Sequence, residues 1–157
     1  MVIQIKGEKM IRSRLRAEVM IVNDEHSKVL VQCDENESFY RFPGGSIEFG
    51  ETSKVAIIRE LIEEYDLKVD VQELAIVNEH IFEWDNEKGH HCTLIHWGSA
   101  QEVVTNEIRH KEHEDIILIW KSLEELKKKP TYPKGIVSYL EDNNGNIVHF
   151  TSNNLTE

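Results

Sequence analysis

A chain of 157 residues with a hydrophobic fraction of 39% and a charged fraction of 30% is long enough to bury a core, and reads as one globular domain over residues 1–157. Its formal net charge of −11 argues against a surface built for the nucleic-acid backbone, and no apolar run approaches the roughly 18 residues that a membrane-spanning helix requires. The first residues lack a secretory signal pattern, and two cysteines, Cys33 and Cys92, are too few for a disulfide framework, which gives a cytoplasmic protein with reduced thiols.

In chain order, residues 1–13 are mixed, with a short strand around residues 2–5. Residues 14–22 and 28–33 are apolar runs joined by the polar stretch 23–27 and read as a β-hairpin. A charged loop over 34–38 leads to a short strand over 39–42, and Pro43-Gly44-Gly45 follows as a loop whose glycines permit close backbone approach to a ligand. A helix starts near Thr52 or Ser53, either of which suits an N-cap. Strands are expected over 68–77, over 79–84 as a new element or a continuation, and over 90–99 after a turn at 85–89. Residues 106–115 form a polar connection before a clear strand at 116–120. Short helices over 122–129, with Ser122 and Glu125 as a capping box, and over 134–141 precede a polar tail. The order βββ-α-ββββ-αα implies an α/β (α+β) fold in which a mixed β-sheet carries helices on both faces.

The stretch 42–67 carries the chemistry. A rotation of about 100° per residue from Ser53 places Glu60, Glu63 and Glu64 within an arc of about 100°, with Val55, Ile57, Ile58, Leu61, Ile62 and Tyr65 on the core side. No lysine is interleaved among the glutamates, and like charges at this spacing cost about 0.2–0.5 kcal/mol per pair. A hard divalent cation offsets that repulsion: magnesium takes oxygen ligands from a few carboxylates and from substrate phosphates. Ala56 projects between the glutamates and leaves room for the metal, and Arg59 flanks the same face.

Gly45, Glu51 and then Arg59-Glu60-Leu61-Ile62-Glu63-Glu64-Tyr65-Asp66-Leu67 resemble the Nudix hydrolase (MutT-like) signature, a glycine, five residues, a glutamate, seven residues and Arg-Glu-aliphatic-x-Glu-Glu-x-Gly-aliphatic. The match runs over residues 45–67 and departs from the pattern at Asp66, which stands where the family has glycine. That position ends a helix in a left-handed conformation, so the expected consequence is a stability cost of about 1 kcal/mol with the chemistry intact. A tryptophan at 120 before Ser122-Leu123-Glu124-Glu125-Leu126 extends the resemblance to about residues 14–140 and reads as packing for the late helix.

The resemblance implies the Nudix α/β/α sandwich and hydrolysis of the diphosphate of a nucleotide or nucleoside-diphosphate derivative with Mg2+ or Mn2+. Carried over by position, Glu60, Glu63 and Glu64 are metal ligands, Gly45 offers its carbonyl, Glu51 makes an outer contact, and Arg59 orients the carboxylates. Glu63 is the first choice of general base, with Glu112 and Glu114, otherwise ordinary loop glutamates, as the rivals. Arg14, Arg16, Arg41 and His90 are substrate-binding candidates, although arginines on strand edges also serve as plain surface residues. Phe39, Tyr40, Phe82 and Trp84 could stack on a base, and could equally be core. The runs His90-His91-Cys92 and His110-Lys111-Glu112-His113 lack the spacing of a zinc site. The expected partner is a small nucleotide, with an RNA 5′ end the one nucleic-acid exception and a homodimer the favoured assembly. A non-catalytic nucleotide-binding sensor and an acidic interaction domain are the rival readings, and the retention of Glu51, Glu60, Glu63 and Glu64 weighs against both.

Overall fold

The computed structural model describes residues 11–155, so the strand expected near residues 2–5 lies outside the described residues. Among the described residues, eight strands form one mixed sheet: β1 (Arg14–Val22), β2 (Lys28–Asp34), β3 (Gly44–Ser46), β4 (Val69–Trp84), β5 (Glu87–Ala100), β6 (Ile108–Arg109), β7 (Ile116–Ser122) and β8 (Val148–Asn153). Their order is β6-β7-β2-β1-β5-β4-β8, with β3 on the side of β1. The β1–β5 and β4–β8 pairs are parallel and the others antiparallel. The helices among the described residues are α1 (Ser53–Tyr65), α2 (Leu123–Leu126) and α3 (Ile136–Glu141). None of the described helices is long and apolar enough to cross a membrane.

Alternation along β1 divides the core. Ala17, Val19 and Ile21 pack with Ala56, Ile57, Leu61 and Tyr65 of α1, whereas Met20 packs with Ile76, Ile95, Leu126, Ile136 and Tyr139 on the opposite side. Helices therefore cover both faces, as the element order implies. The buried stripe of α1 is narrower than its periodicity predicts: Val55, Ile58 and Ile62 are exposed. Ala56 is fully buried against the sheet instead of standing between the glutamates. A small residue there brings the helix axis close to the strands and rotates the outer aliphatic positions into solvent.

The strand expected over 39–42 does not form. Tyr40 and Arg41 make only isolated bridges to Thr131 and Gln32, and the regular strand is the three-residue β3 beyond them. Pro43 has no N–H to give a ladder, but its carbonyl accepts the Val19 N–H at 3.0 Å. At Gly44 a side chain is excluded outright, because a Cβ would lie 2.0 Å from the carbonyl oxygen of Ala17. β1 and β2 pair only at Ile21↔Leu30 and Val22↔Val29, next to a turn closed by the Asn23 side chain. Beyond those pairs the strands part, and the segment 41–46 runs between them, bonded to Gln32 on one side and to β1 on the other.

Further differences come from long-range pairing. β4 is one continuous 16-residue strand with register shifts between Val71 and Ile76, and the polar connection 106–115 contains the two-residue β6. The tail forms β8, an edge strand held by parallel pairing to β4. α2 and α3 are shorter than their patterns, although the Ser122–Glu125 capping box is present. Trp120 packs on the α1 side, not on the late helix, and its Nε1–H donates to the Val104 carbonyl at 2.8 Å. Cys33 and Cys92 are both free thiols.

Both ends of α1 are pinned. Thr52 caps its start by accepting the Val55 N–H, and buried His96 of β5 binds the adjacent Ser53 hydroxyl through Nε2 at 2.8 Å and the Gln72 carbonyl through Nδ1 at 2.9 Å. Since Nδ1 must donate to a carbonyl, Nε2 of the neutral ring accepts the Ser53 O–H. At the far end Asp66 takes φ 52° and ψ 28°, its N–H bonding to Ile62 O and that of Leu67 to Leu61 O. The first bond is the αL closure that glycine ordinarily supplies, and the second reaches one residue further back.

Two measurements check this account. His96→Ala, which removes a buried ring and strands its two partners, is expected to lower the unfolding free energy by about 2–4 kcal/mol in urea titrations. For Asp66→Gly the relief of left-handed strain opposes both added backbone freedom in the unfolded chain and loss of an exposed ion pair with Lys111, so a change below about 1 kcal/mol is expected.

Candidate active site

α1 carries its carboxylates along the edge that faces β3 and the loop leading from it, and Arg59 lies among them. Its Nε–H donates to Glu51 Oε1 at 2.6 Å and its Nη2–H to Glu51 Oε2 at 2.9 Å, a bidentate pair. Nη2 also reaches the Ser46 carbonyl at 3.0 Å, while Nη1 lies 3.2 Å from Glu60 Oε1 and 3.2 Å from Glu63 Oε2. One guanidinium thus ties β3, the following loop and two helix carboxylates together. The Arg59 hydrogen bonds hold the Glu51 carboxyl down at about 2, with the Glu48 N–H adding to the effect.

Glu60 lies against the glycine loop: a Cβ on Gly45 would stand 2.3 Å from its carboxyl carbon. The backbone of Gly45 and the Glu60 carboxylate are therefore adjacent only because that residue is glycine. Glu64 follows one turn later. Burial, and then the Glu60 charge, pushes its carboxyl up to about 7, against the opposing influence of Arg41 and Arg16. Its Oε2 is buried and has no hydrogen-bond partner. Glu63, by contrast, is 57% exposed at its side chain.

Arg16 and Arg41 also act on Glu18 of β1, which pairs with Gly44 in the register and lies 3.8 Å from Arg16 Nη2. Burial dominates there and raises the Glu18 carboxyl to about 7. The two arginines thus act electrostatically on both raised carboxyls, Glu18 of β1 and Glu64 of α1. The loop after β6 packs against the Glu64 end of the helix. His110 Nε2 is 3.5 Å from Glu64 Oε1, and the Lys111 N–H donates to the Glu64 carbonyl at 2.9 Å. Glu112 and Glu114 are exposed on this loop, next to the helix end but outside the Arg59 network.

The remaining candidates are placed apart. Arg14 and His90 line a cleft of about 1010 Å3 with Phe82, Trp84 and His91 at the β4–β5 hairpin. Arg14 pairs with His91 in the parallel β1–β5 register, and His90 Nδ1 lies 3.1 Å from Ser13 Oγ. Phe82 stacks on His80 and leaves Trp84 largely exposed, while Tyr40 is core. Another cleft, of about 760 Å3 by Trp120 and Val104, contains none of the helix glutamates. Sequence reasoning missed Glu18, and it weighed His110 only as a zinc ligand. The one available signal for Glu18 was a carboxylate on an apolar strand with an arginine two residues earlier.

Among the described residues, no three His, Cys, Asp or Glu side chains gather tightly enough to hold a metal ion by themselves. The donor chemistry nevertheless fits a hard cation: the carboxylate of Glu60, set against the Gly45 backbone, and the unpartnered Glu64 Oε2 are oxygens, and Arg59 already neutralises Glu51.

A family model described as the NUDIX domain matches residues 13–141. A comparison with curated proteins finds no match. Among solved structures, a MutT NUDIX hydrolase from Burkholderia pseudomallei is 22% identical, with 84% of this chain and 98% of that chain covered and a TM-score of 0.62. A NUDIX hydrolase from Nitrosomonas europaea is 13% identical, covering 88% and 79% with a TM-score of 0.65. An ADP-ribose pyrophosphatase from Streptococcus suis is 15% identical, covering 87% and 98% with a TM-score of 0.59. These likenesses show a shared fold. With the signature carboxylates gathered about Arg59 and the family model spanning β1 to α3, the chain belongs to the NUDIX family of hydrolases, which act on phosphorus-containing acid anhydrides.

Proposed function

We propose that this hydrolase is a divalent-metal-dependent pyrophosphohydrolase that cleaves the diphosphate of a nucleotide or nucleoside-diphosphate derivative. The observation that carries the reading is Glu64: a desolvated carboxylate with one unpartnered oxygen, one helical turn from Glu60, which itself stands against the glycine loop. A buried charge without partners is costly, and a hard cation is the partner that the surrounding oxygens suit.

Glu60, Glu64 and the Gly45 carbonyl would hold Mg2+ or Mn2+, with Glu63 beside them. When bound, the metal supplies neutralisation of the diphosphate and a more acidic water. Glu51 locks Arg59, and Arg59 in turn fixes the Glu60 and Glu63 carboxylates, so the helix presents them in one arrangement. Glu63, exposed and with only one oxygen engaged by Arg59, is free to take the proton of the attacking water. Glu112 and Glu114, on the loop that packs against the Glu64 end of the helix, are the rival bases. Arg16 and Arg41, close enough to Glu64 to act on its charge, would supply positive charge for phosphate in a protein whose net charge of −11 repels anions. Arg14 and His90, with Phe82 and Trp84 close by, offer a more distant surface for the rest of the substrate.

The test is phosphate release, coupled to a phosphatase, across nucleoside triphosphates, nucleotide sugars, ADP-ribose and dinucleoside polyphosphates with Mg2+ or Mn2+. Turnover of a member of the panel, abolished by a chelator, is expected. Glu63→Gln, which keeps size and removes charge, is expected to lower kcat by at least ~100-fold with an unchanged melting temperature. Full activity in that variant would move the base to Glu112 or Glu114. Metal binding without turnover of any substrate would favour the sensor reading.

A further inference from the structure

His110 makes contacts in two directions that together fix where its proton is. The ring is only 5% exposed, and the backbone N–H groups of Glu112 and His113 donate to its Nδ1 at 3.0 and 3.1 Å. A ring nitrogen that accepts amide hydrogens carries none of its own, so in the neutral imidazole the proton is on Nε2. That nitrogen lies 3.5 Å from Glu64 Oε1, and Glu64 Oε2 is the oxygen left buried and unpartnered. The ring cannot turn away easily: it packs edge-on against Tyr65 with centroids 5.2 Å apart, and it neighbours His113 at 4.9 Å. The next residue fastens the same loop to the helix end, with the Lys111 N–H on the Glu64 carbonyl and Lys111 Nζ 2.9 Å from Asp66 Oδ1. Asp66, the residue that departs from the family glycine, therefore contributes a contact to this loop that glycine lacks.

We propose that His110 is a positioning residue for Glu64: its Nε2–H faces Oε1 at 3.5 Å and leaves Oε2 clear of competing donors for a cation, while its Nδ1 gathers the loop that bears Glu112 and Glu114. The inference rests on the reading of Glu64 as a metal ligand. It joins the strand after which the loop begins to the helix that bears the carboxylates, through one ring. Outer contacts of this kind fix the orientation of a ligating carboxylate, and removing one costs about 10–100-fold in metal affinity or activity.

Two variants separate the two roles. His110→Asn retains an acceptor near Nδ1 for the loop amides but removes the donor to Glu64, whereas His110→Gln places an amide donor near the Nε2 position. In the full-length chain, isotope-edited NMR of the imidazole nitrogens is expected to show the Nε2–H tautomer for His110. Calorimetric titration with Mn2+ is expected to show binding about tenfold weaker in His110→Asn at a near-native melting temperature, and largely recovered in His110→Gln. An Nδ1–H tautomer in the unmodified chain, or Mn2+ affinity unchanged in His110→Asn, would overturn the assignment. Failure of the unmodified chain to bind Mn2+ would overturn the metal reading of Glu64 and this assignment with it. Mn2+ binding with the Asn–Gln contrast intact but no substrate turnover would support the assignment and count against hydrolysis alone.

Discussion

The arrangement of the site depends on one cation inside a ring of anions. Glu48, Glu51, Glu60 and Glu63 all lie within 4.0 Å of the Arg59 guanidinium, which is itself only 23% exposed at its side chain. Without it, three glutamates on one helical edge and two more in the adjoining loop would repel one another. With it, the loop from β3 has a fixed point, because the same group also binds the Ser46 carbonyl. A planar donor that forks to Glu51 while reaching Glu60 and Glu63 from its other edge is a geometry lysine does not provide. The backbone allows this only where Gly44 and Gly45 let the loop press against β1 and against Glu60.

Charge is distributed so that neighbouring carboxylates have different environments. Glu51 is held ionised by Arg59, whereas Glu18 and Glu64 are desolvated and raised to about 7. Arg16 and Arg41 moderate both raised groups without closing on either, the shortest contact being 3.8 Å from Arg16 to Glu18. Positive charge beside Glu18 and Glu64 is thus kept loosely paired in an otherwise anionic protein, which is the condition an anionic ligand needs in order to compete for it.

The helix, the glycine loop and the strands of high apolar content were legible in the sequence, since each writes its period or its backbone demand into adjacent residues. The width of the α1 contact stripe was not, because it depends on how closely the sheet lets the helix approach, and buried Ala56 sets that distance. β8 was hidden for a related reason: Val148–Asn153 is short and half polar, and it becomes a strand only because the edge of β4 is available to it. The roles of His96 and His110 were equally out of reach. Each meets α1 from a distant part of the chain, and nothing in the spacing of eight histidines distinguishes a ring that steadies a helix from one in solvent.

The parting of β1 from β2 after only two paired positions has a consequence for how such a protein diversifies. The carboxylates and Arg59 belong to α1 and the loop before it, while the β4–β5 hairpin that bears Phe82, Trp84 and His90 reaches out from the opposite side of β1. Substitutions along that hairpin leave the buried contacts of α1 with Ala17, Val19 and Ile21 untouched. Effects of mutations that share no contacts add with little interaction. On the proposed assignment of the hairpin to substrate binding, selection on what is bound there and selection on how the anhydride is cleaved can therefore proceed almost separately, and one scaffold can acquire new ligands without rebuilding its chemistry.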